Sequence, residues 1–230
     1  MKSFETLQQN FRRCRQELGE FDALLNSSRE LSERDEILPF FKERDQLTAL
    51  IGQYDPLLYP NLLAYEYDIF GDFKADVAIG DSQSQHYCFV EMEDAKSSSL
   101  FKQKGAKASL DWSDRFEHGY SQIIDWFWKL ADMESTAEFR SRFGENATYQ
   151  GILIIGRSAN LNPKEQKRLQ WRREKVIVDS RQVYCVTYDE LYEHLNTKLG
   201  ILENLAQSFV AESTTAEELL QEDESESEIQ

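Results

Sequence analysis

Phe73-Lys74-Ala75-Asp76-Val77-Ala78-Ile79-Gly80-Asp81 and His86-Tyr87-Cys88-Phe89-Val90-Glu91-Met92-Glu93-Asp94 flank four polar residues, Ser82-Gln83-Ser84-Gln85. Aromatic and β-branched runs on either side of a short polar turn read as two strands of a hairpin. Strict alternation puts Phe73, Ala75, Val77 and Ile79 on one face of the first strand, with Lys74, Asp76 and Ala78 on the other. In the second strand it groups Tyr87, Phe89, Glu91 and Glu93, opposite His86, Cys88, Val90 and Met92. A hairpin symmetric about residues 82–85 sets Asp76 directly across from Glu91, with β-carbons roughly 4.5–5.5 Å apart. Glu93 follows on the same face, about 7 Å further along.

Three carboxylates converging beside Tyr87 and Phe89 would repel one another and lose hydration. A divalent cation relieves both costs, and oxygen-only donors suit magnesium or manganese. The plain alternative is a solvent-exposed hairpin face carrying ordinary charges.

Outward from the hairpin, Leu63 to Phe70 reads as a strand before it. Beyond it the pattern gives a helix from about Asp114 to Met133 and an apolar strand from Gly151 to Gly156. The lack of alternation in that strand predicts burial on both faces. Asn162-Pro163 opens a helix through about Lys175, and Gln182 to Val186 is a last strand. It runs into Thr187-Tyr188-Asp189-Glu190, a capping box that starts another helix. The order of helix, three strands, helix, strand, helix, strand, helix describes an α/β domain with a mixed sheet. Residues 1–25 read as one helix whose seam is Phe4, Leu7, Phe11, Cys14, Leu18, Phe21 and Leu25. That seam either pairs with a second copy, giving a homo-oligomer, or packs on its own domain. Ser28 could cap a second helix, Pro39 could start a third, and Gly52 could stop it.

The composition fits a globular chain: 230 residues, 40% hydrophobic and 12% aromatic, enough for a real core. No apolar run approaches the roughly 20 residues that cross a bilayer. The first residues carry no secretory pattern, and the three scattered cysteines suit reduced thiols, so a cytoplasmic protein without membrane contact is expected. Half of the net charge of −16 sits in residues 212–230, which hold eight acidic side chains and no basic one. That segment reads as a disordered acidic tail.

Tyr65-Glu66-Tyr67-Asp68-Ile69, Phe73-Lys74-Ala75-Asp76-Val77 and Phe89-Val90-Glu91-Met92-Glu93 together resemble the opening of the Shedu-type nuclease domain. Gln122-Ile123-Ile124-Asp125-Trp126, Ile154-Ile155-Gly156-Arg157 and Val186-Thr187-Tyr188-Asp189-Glu190-Leu191 continue the resemblance in the same order, over about residues 38–195. Each piece is weak alone, and the ordered set is fairly specific. The resemblance implies a restriction-endonuclease-like fold of the PD-(D/E)xK type, a mixed central sheet flanked by helices. The nuclease domain would span 38–200, after an N-terminal helical extension (1–37) and before a helical end and tail (201–230). It further implies a DNA endonuclease or nickase acting in anti-phage defence with Mg2+ or Mn2+. Asp76 and Glu91 would be the two metal-binding acids, Glu66 an additional acid, and Gln122 the helix glutamine that completes such sites. Glu93 departs from the signature, which has lysine there. It could serve as a further metal ligand, with Lys96 supplying the positive charge. The rival expectation is an inactive copy of the fold that binds DNA or protein.

Two basic runs could meet a DNA backbone. On the helix opened by Pro163, Lys164, Arg168, Arg172 and Lys175 share a face, flanked by Lys167 and Arg173, with Trp171 beside them. The second run is Lys96, Lys102, Lys104 and Lys107, and Arg157 joins these as a candidate DNA contact. The alternative for each is an ordinary solvated surface. Without a base-reading motif, binding is expected to depend on backbone and shape.

Overall fold

The computed structural model describes residues 3–106 and 109–206. The hairpin forms as β3 (Phe73–Asp81) and β4 (His86–Met92), in the symmetric register Val77↔Val90, Ile79↔Cys88 and Asp81↔His86. Asp81 holds the turn: its carboxylate accepts from the Gln83 and Ser84 backbone N–H groups and from the Ser84 hydroxyl. Before the hairpin come β1 (Glu5–Thr6), α1 (Phe11–Ser27), α2 (Leu38–Lys42), α3 (Asp45–Leu50) and β2 (Leu62–Ile69). After it come β5 (Phe101–Lys102), β6 (Asp111–Trp112), α4 (Asp114–Met133), α5 (Ala137–Phe143) and β7 (Thr148–Ile154). The chain continues through α6 (Pro163–Lys175), β8 (Ile177–Val178) and β9 (Arg181–Val186), and α7 covers 188–206.

Seven strands make one open mixed sheet in the order β1-β2-β3-β4-β7-β9-β8. β1 to β4 are antiparallel neighbours, whereas β4, β7 and β9 run parallel, the crossovers being α4–α5 and α6. Helices cover both faces. Leu18, Phe21, Leu47, Leu50, Leu191 and Leu195 pack on the side of Val90, Ile152 and Ile154. Phe116, Ile123, Phe127, Phe143 and Leu169 pack on the side of Phe89, Leu153 and Ile155. β7 is therefore buried on both faces, as its unbroken apolar run predicts. Gly151 lets α4 lie close, since a β-carbon there would stand 2.3 Å from Ile123. This α/β/α sandwich with a mixed sheet is the fold class expected from the sequence.

Alternation fails at one place. Tyr65 and Val77 belong to the layer of α1, whereas Tyr67 and Ala75, each two residues away, belong to the layer of α4. Both strands change face at the unpaired step between Tyr65↔Val77 and Tyr67↔Ala75, where Glu66 adopts φ 51°. Ala75 thus does not share a face with Val77 and Ile79. A left-handed residue in one strand rotates everything beyond it, as a bulge does. Asp76 and Glu66 sit at that step.

The N-terminus also differs from the single helix expected for 1–25. Glu5 and Thr6 pair with Leu63 and Leu62, and the Leu7 N–H donates to the Asn61 carbonyl. The helix starts only at Phe11, where Asn10 accepts from the Arg13 N–H at 3.0 Å. The open edge of β2 and a strong cap outweigh the heptad spacing. Cys14, Leu18, Phe21 and Leu25 are at most 6% exposed within the chain's own core. The seam is occupied by α3 and α7 rather than free for a second copy. Ser28 is four residues early: Ser32 leads into a π-helical turn, Glu33–Ile37, which continues as α2 with Pro39 in its first turn. α4, α6 and the Thr187–Glu190 capping box form as read. The acidic tail and Lys107 lie outside the described residues.

Candidate active site

The parallel pair β4–β7 ends with its carboxyl edge under the first turns of α4, the usual place for a site in an α/β sheet. Glu91 is the next-to-last residue of β4; Glu93 and Asp94 follow immediately. One step beyond Val77↔Val90, the register makes Asp76 the cross-strand neighbour of Glu91. The Met92 N–H donates to Asp76 Oδ2 at 2.8 Å. From α4, Gln122 Nε2 donates to Glu91 Oε1, and Arg115 donates to Glu93 Oε2. Arg115 reaches Glu33 Oε2 as well, at 2.7 Å, and lies 3.4 Å from Asp94. Gly119 makes this approach possible, because a β-carbon there would contact Glu93 and collide with Leu153. Lys96 Nζ donates to Asp94 Oδ2 at 2.9 Å, and the Glu33 N–H to Asp94 Oδ1 at 2.8 Å. Glu33, Glu91, Glu93, Asp94, Lys96, Arg115 and Gln122 line an open cleft of about 880 Å³, together with His118 and Arg34.

Electrostatics mark the cluster. Burial pushes Glu91 far above the carboxylate range, aided by repulsion from Asp76 and Glu93 and opposed by the Gln122 amide. Burial raises Asp76 to about 6 against the Met92 N–H. Burial also raises Glu93 to about 7, with Arg115 pulling down and Glu33 pushing up. Asp94 differs: the Glu33 N–H, Lys96 and Arg115 outweigh its burial and hold it below the ordinary range. Three of four neighbouring acids therefore favour the proton in the absence of a cation.

Asp76, Glu91, Glu93, Gln122 and Lys96 all come to this edge of the sheet. Asp76 is half-buried and is not among the residues that line the cleft. Glu66 remains two strands from Glu91, ion-paired with Lys42 at 3.1 Å. Among the described residues no three of His, Cys, Asp and Glu are arranged to hold one metal ion. The wider shell expected from Glu93 and Glu66 is thus not assembled, because Arg115 and Lys42 engage them instead. Asp76 and Glu91 still fit magnesium, which is commonly bound by one or two carboxylates, with waters and substrate phosphate completing its shell.

The expected DNA contacts are mostly engaged. Arg157 bonds Asp189 and the Leu25 and Ser28 carbonyls, away from the cleft. Arg172 makes a two-pronged pair with Glu117 and covers the Trp112, Phe116 and Tyr120 rings. Arg168 donates to the Leu110 carbonyl above Phe101 and Trp112. Lys102 pairs with Asp114. Lys164 donates to Ser109 yet stays exposed, and Lys104 is exposed. The basic face read on the α6 helix is thus partly an internal clamp.

Sequence reading missed Arg115, Glu33 and His118. Arg115, His118 and Gln122 recur at helical spacing on one face of α4, a signal that was available. Glu33 had none, since the Leu31↔Ala95 bridge and the bonds to Asp94 and Arg115 that bring it to the cleft are all distant in sequence.

A search of curated proteins finds no match. Residues 30–192, well over half of the chain and including every residue of the cleft, match the family described as Shedu protein SduA, C-terminal. No described helix is long and apolar enough to cross a membrane. The chain belongs to the SduA C-terminal family of Shedu anti-phage defence proteins.

Proposed function

We propose that the chain is a magnesium- or manganese-dependent DNA endonuclease or nickase acting in anti-phage defence. The observation that carries this reading is the pair Asp76 and Glu91, one half-buried and one buried, on neighbouring strands at the carboxyl edge of the sheet and both raised in pKa. These two residues would hold the ion. When bound, it supplies positive charge for the phosphate and lowers the cost of deprotonating a water. Gln122 fixes the orientation of the Glu91 carboxylate, and the Met92 N–H fixes that of Asp76. Arg115 and Lys96 line the cleft and would offset the charge of a phosphate bound there. The same cations close off Glu93 and Asp94 from a second ion.

One observation favours the rival, a DNA- or protein-binding module without cleavage. Glu93 stands where the resembling signature has lysine, and Arg115 neutralises it. Incubating supercoiled and linear DNA with the protein in magnesium, manganese or EDTA separates the two. The nuclease reading expects metal-dependent nicking or cutting that Glu91→Gln abolishes; binding without cleavage under every condition supports the rival.

A further inference from the structure

On the side of α4 away from the cleft, four aromatic rings form a ladder. Phe101 stacks on Trp112 at 4.4 Å, Trp112 on Phe116 at 4.4 Å, and Phe116 on Tyr120 at 5.9 Å. Arg168 and Arg172 from α6 lie over these rings at 4.3–5.2 Å. Where ladder and helix meet, Trp112, Arg168, Trp171, Arg172 and Val176 enclose a pocket of about 340 Å³. That is the small end of ligand-site volumes, which run roughly 300–1,000 Å³. Trp112 has neighbours on its ring faces, whereas Trp171 is 60% exposed and has no ring contact among the described residues.

The surroundings are as telling as the pocket. α6 carries Lys164, Lys167, Arg168, Arg172, Arg173 and Lys175 against only Glu165 and Glu174, in a chain of net charge −16. Lys164, Lys167 and Lys175 are exposed. A free indole face, guanidinium groups at the pocket wall and flanking lysines together recognise a flat π-system joined to a polyanion. A buried apolar partner would not need the cations, and duplex DNA keeps its base faces stacked inside.

We infer that this pocket takes an unpaired base of a single DNA strand, stacked on Trp171, while Lys164 and Lys167 meet its phosphates. The inference rests on the reading of DNA as the substrate and adds the form preferred: a strand end, a gap or a melted segment. Arg168 then has two roles, bracing the ladder through Leu110 and meeting the base from the pocket wall.

Binding of a fluorescently labelled twelve-nucleotide oligothymidine and of a duplex of equal length, measured by anisotropy in EDTA, tests this without any cleavage step. The full chain should prefer the single strand. Trp171→Ala should weaken oligothymidine binding roughly tenfold, leave its salt dependence unchanged and spare the duplex. Trp171→Phe should retain most of the affinity. Lys164→Gln with Lys167→Gln should instead flatten the salt dependence for both probes. Unchanged oligothymidine affinity in Trp171→Ala, a preference for duplex, or binding of neither probe would overturn the inference. Oligothymidine binding lost on Trp171→Ala in a protein that cuts no DNA would keep the pocket and sink the nuclease reading. Cleavage that persists with Trp171→Ala binding as wild type would do the reverse.

Discussion

Gln122, two turns into α4, donates its side-chain amide to the carboxylate of Glu91 at the end of β4. The bond joins the helix to an acid that burial raises far above the carboxylate range. Gln122→Ala should leave the fold intact, because Gln122 lies at the edge of the apolar stripe that packs Phe116, Ile123 and Phe127. With Glu91 no longer fixed, DNA cleavage should fall roughly ten- to a hundredfold, mostly in kcat. Wild-type kinetics in Gln122→Ala would remove the glutamine from the site.

Arg115 is the only cation bonded to Glu93 among the described residues. Arg115→Gln would leave Glu93 buried without its partner. Since Arg115 is 42% exposed, the loss should be modest, about 1–2 kcal/mol at pH 8. The loss should shrink near pH 5.5, where Glu93 is protonated in either protein. Urea denaturation at the two pH values measures the difference, and an equal loss at both would show that charge is not the cause.

Asp76, Glu91 and Glu93 give a defined pH dependence. Each acid binds its proton more tightly folded than unfolded, so the folded state holds more protons above the ordinary carboxylate range. Metal-free stability should therefore be highest near pH 5 and fall as pH rises through about 6 and about 7. A drop on the order of 1–3 kcal/mol between pH 5 and pH 8 is expected in EDTA. Manganese requires the deprotonated acids, so the rise in thermal midpoint that it causes should grow over the same interval. Stability that climbs with pH in EDTA, or a manganese effect independent of pH, contradicts the cluster as described.

Leu18 and Phe21 lie in the core between α1, α3 and α7 rather than at a subunit boundary. Leu18→Ala should cost about 2–5 kcal/mol. Light scattering should show the same mass as wild type, because nothing intermolecular is lost. Dissociation into a smaller folded species would restore the dimer seam.

How much was legible in the sequence follows from which forces are local. The β3–β4 register could be read because a polar turn and flanking apolar alternation fix it, and Asp81 closes that turn from within. α4, α6 and the Thr187–Glu190 box announce themselves through caps and stripes that need no tertiary partner. The face change at Glu66 and Asp76 could not be read, because a left-handed backbone at a glutamate leaves no compositional mark. β1 was hidden for a similar reason: Glu5 and Thr6 become a strand only because β2 offers them an edge. At the site, Asp76 and Glu91 came from spacing and family resemblance, and Gln122 from the resemblance alone. Glu33 depended on contacts about 60 and 80 residues away along the chain, to Asp94 and Arg115, that no local pattern encodes.

The most direct test is conversion of supercoiled plasmid to nicked or linear product in manganese, by wild type, Asp76→Asn and Glu91→Gln. Both variants keep side-chain size and relieve the mutual repulsion of the clustered acids, so circular dichroism should show unchanged folds. Wild type should cut with manganese and not with EDTA, and both variants should lose at least a hundredfold in rate while still binding DNA. Plasmid left intact by wild type in both manganese and magnesium, or cut equally well by the two variants, would contradict a metal-dependent nuclease built on Asp76 and Glu91.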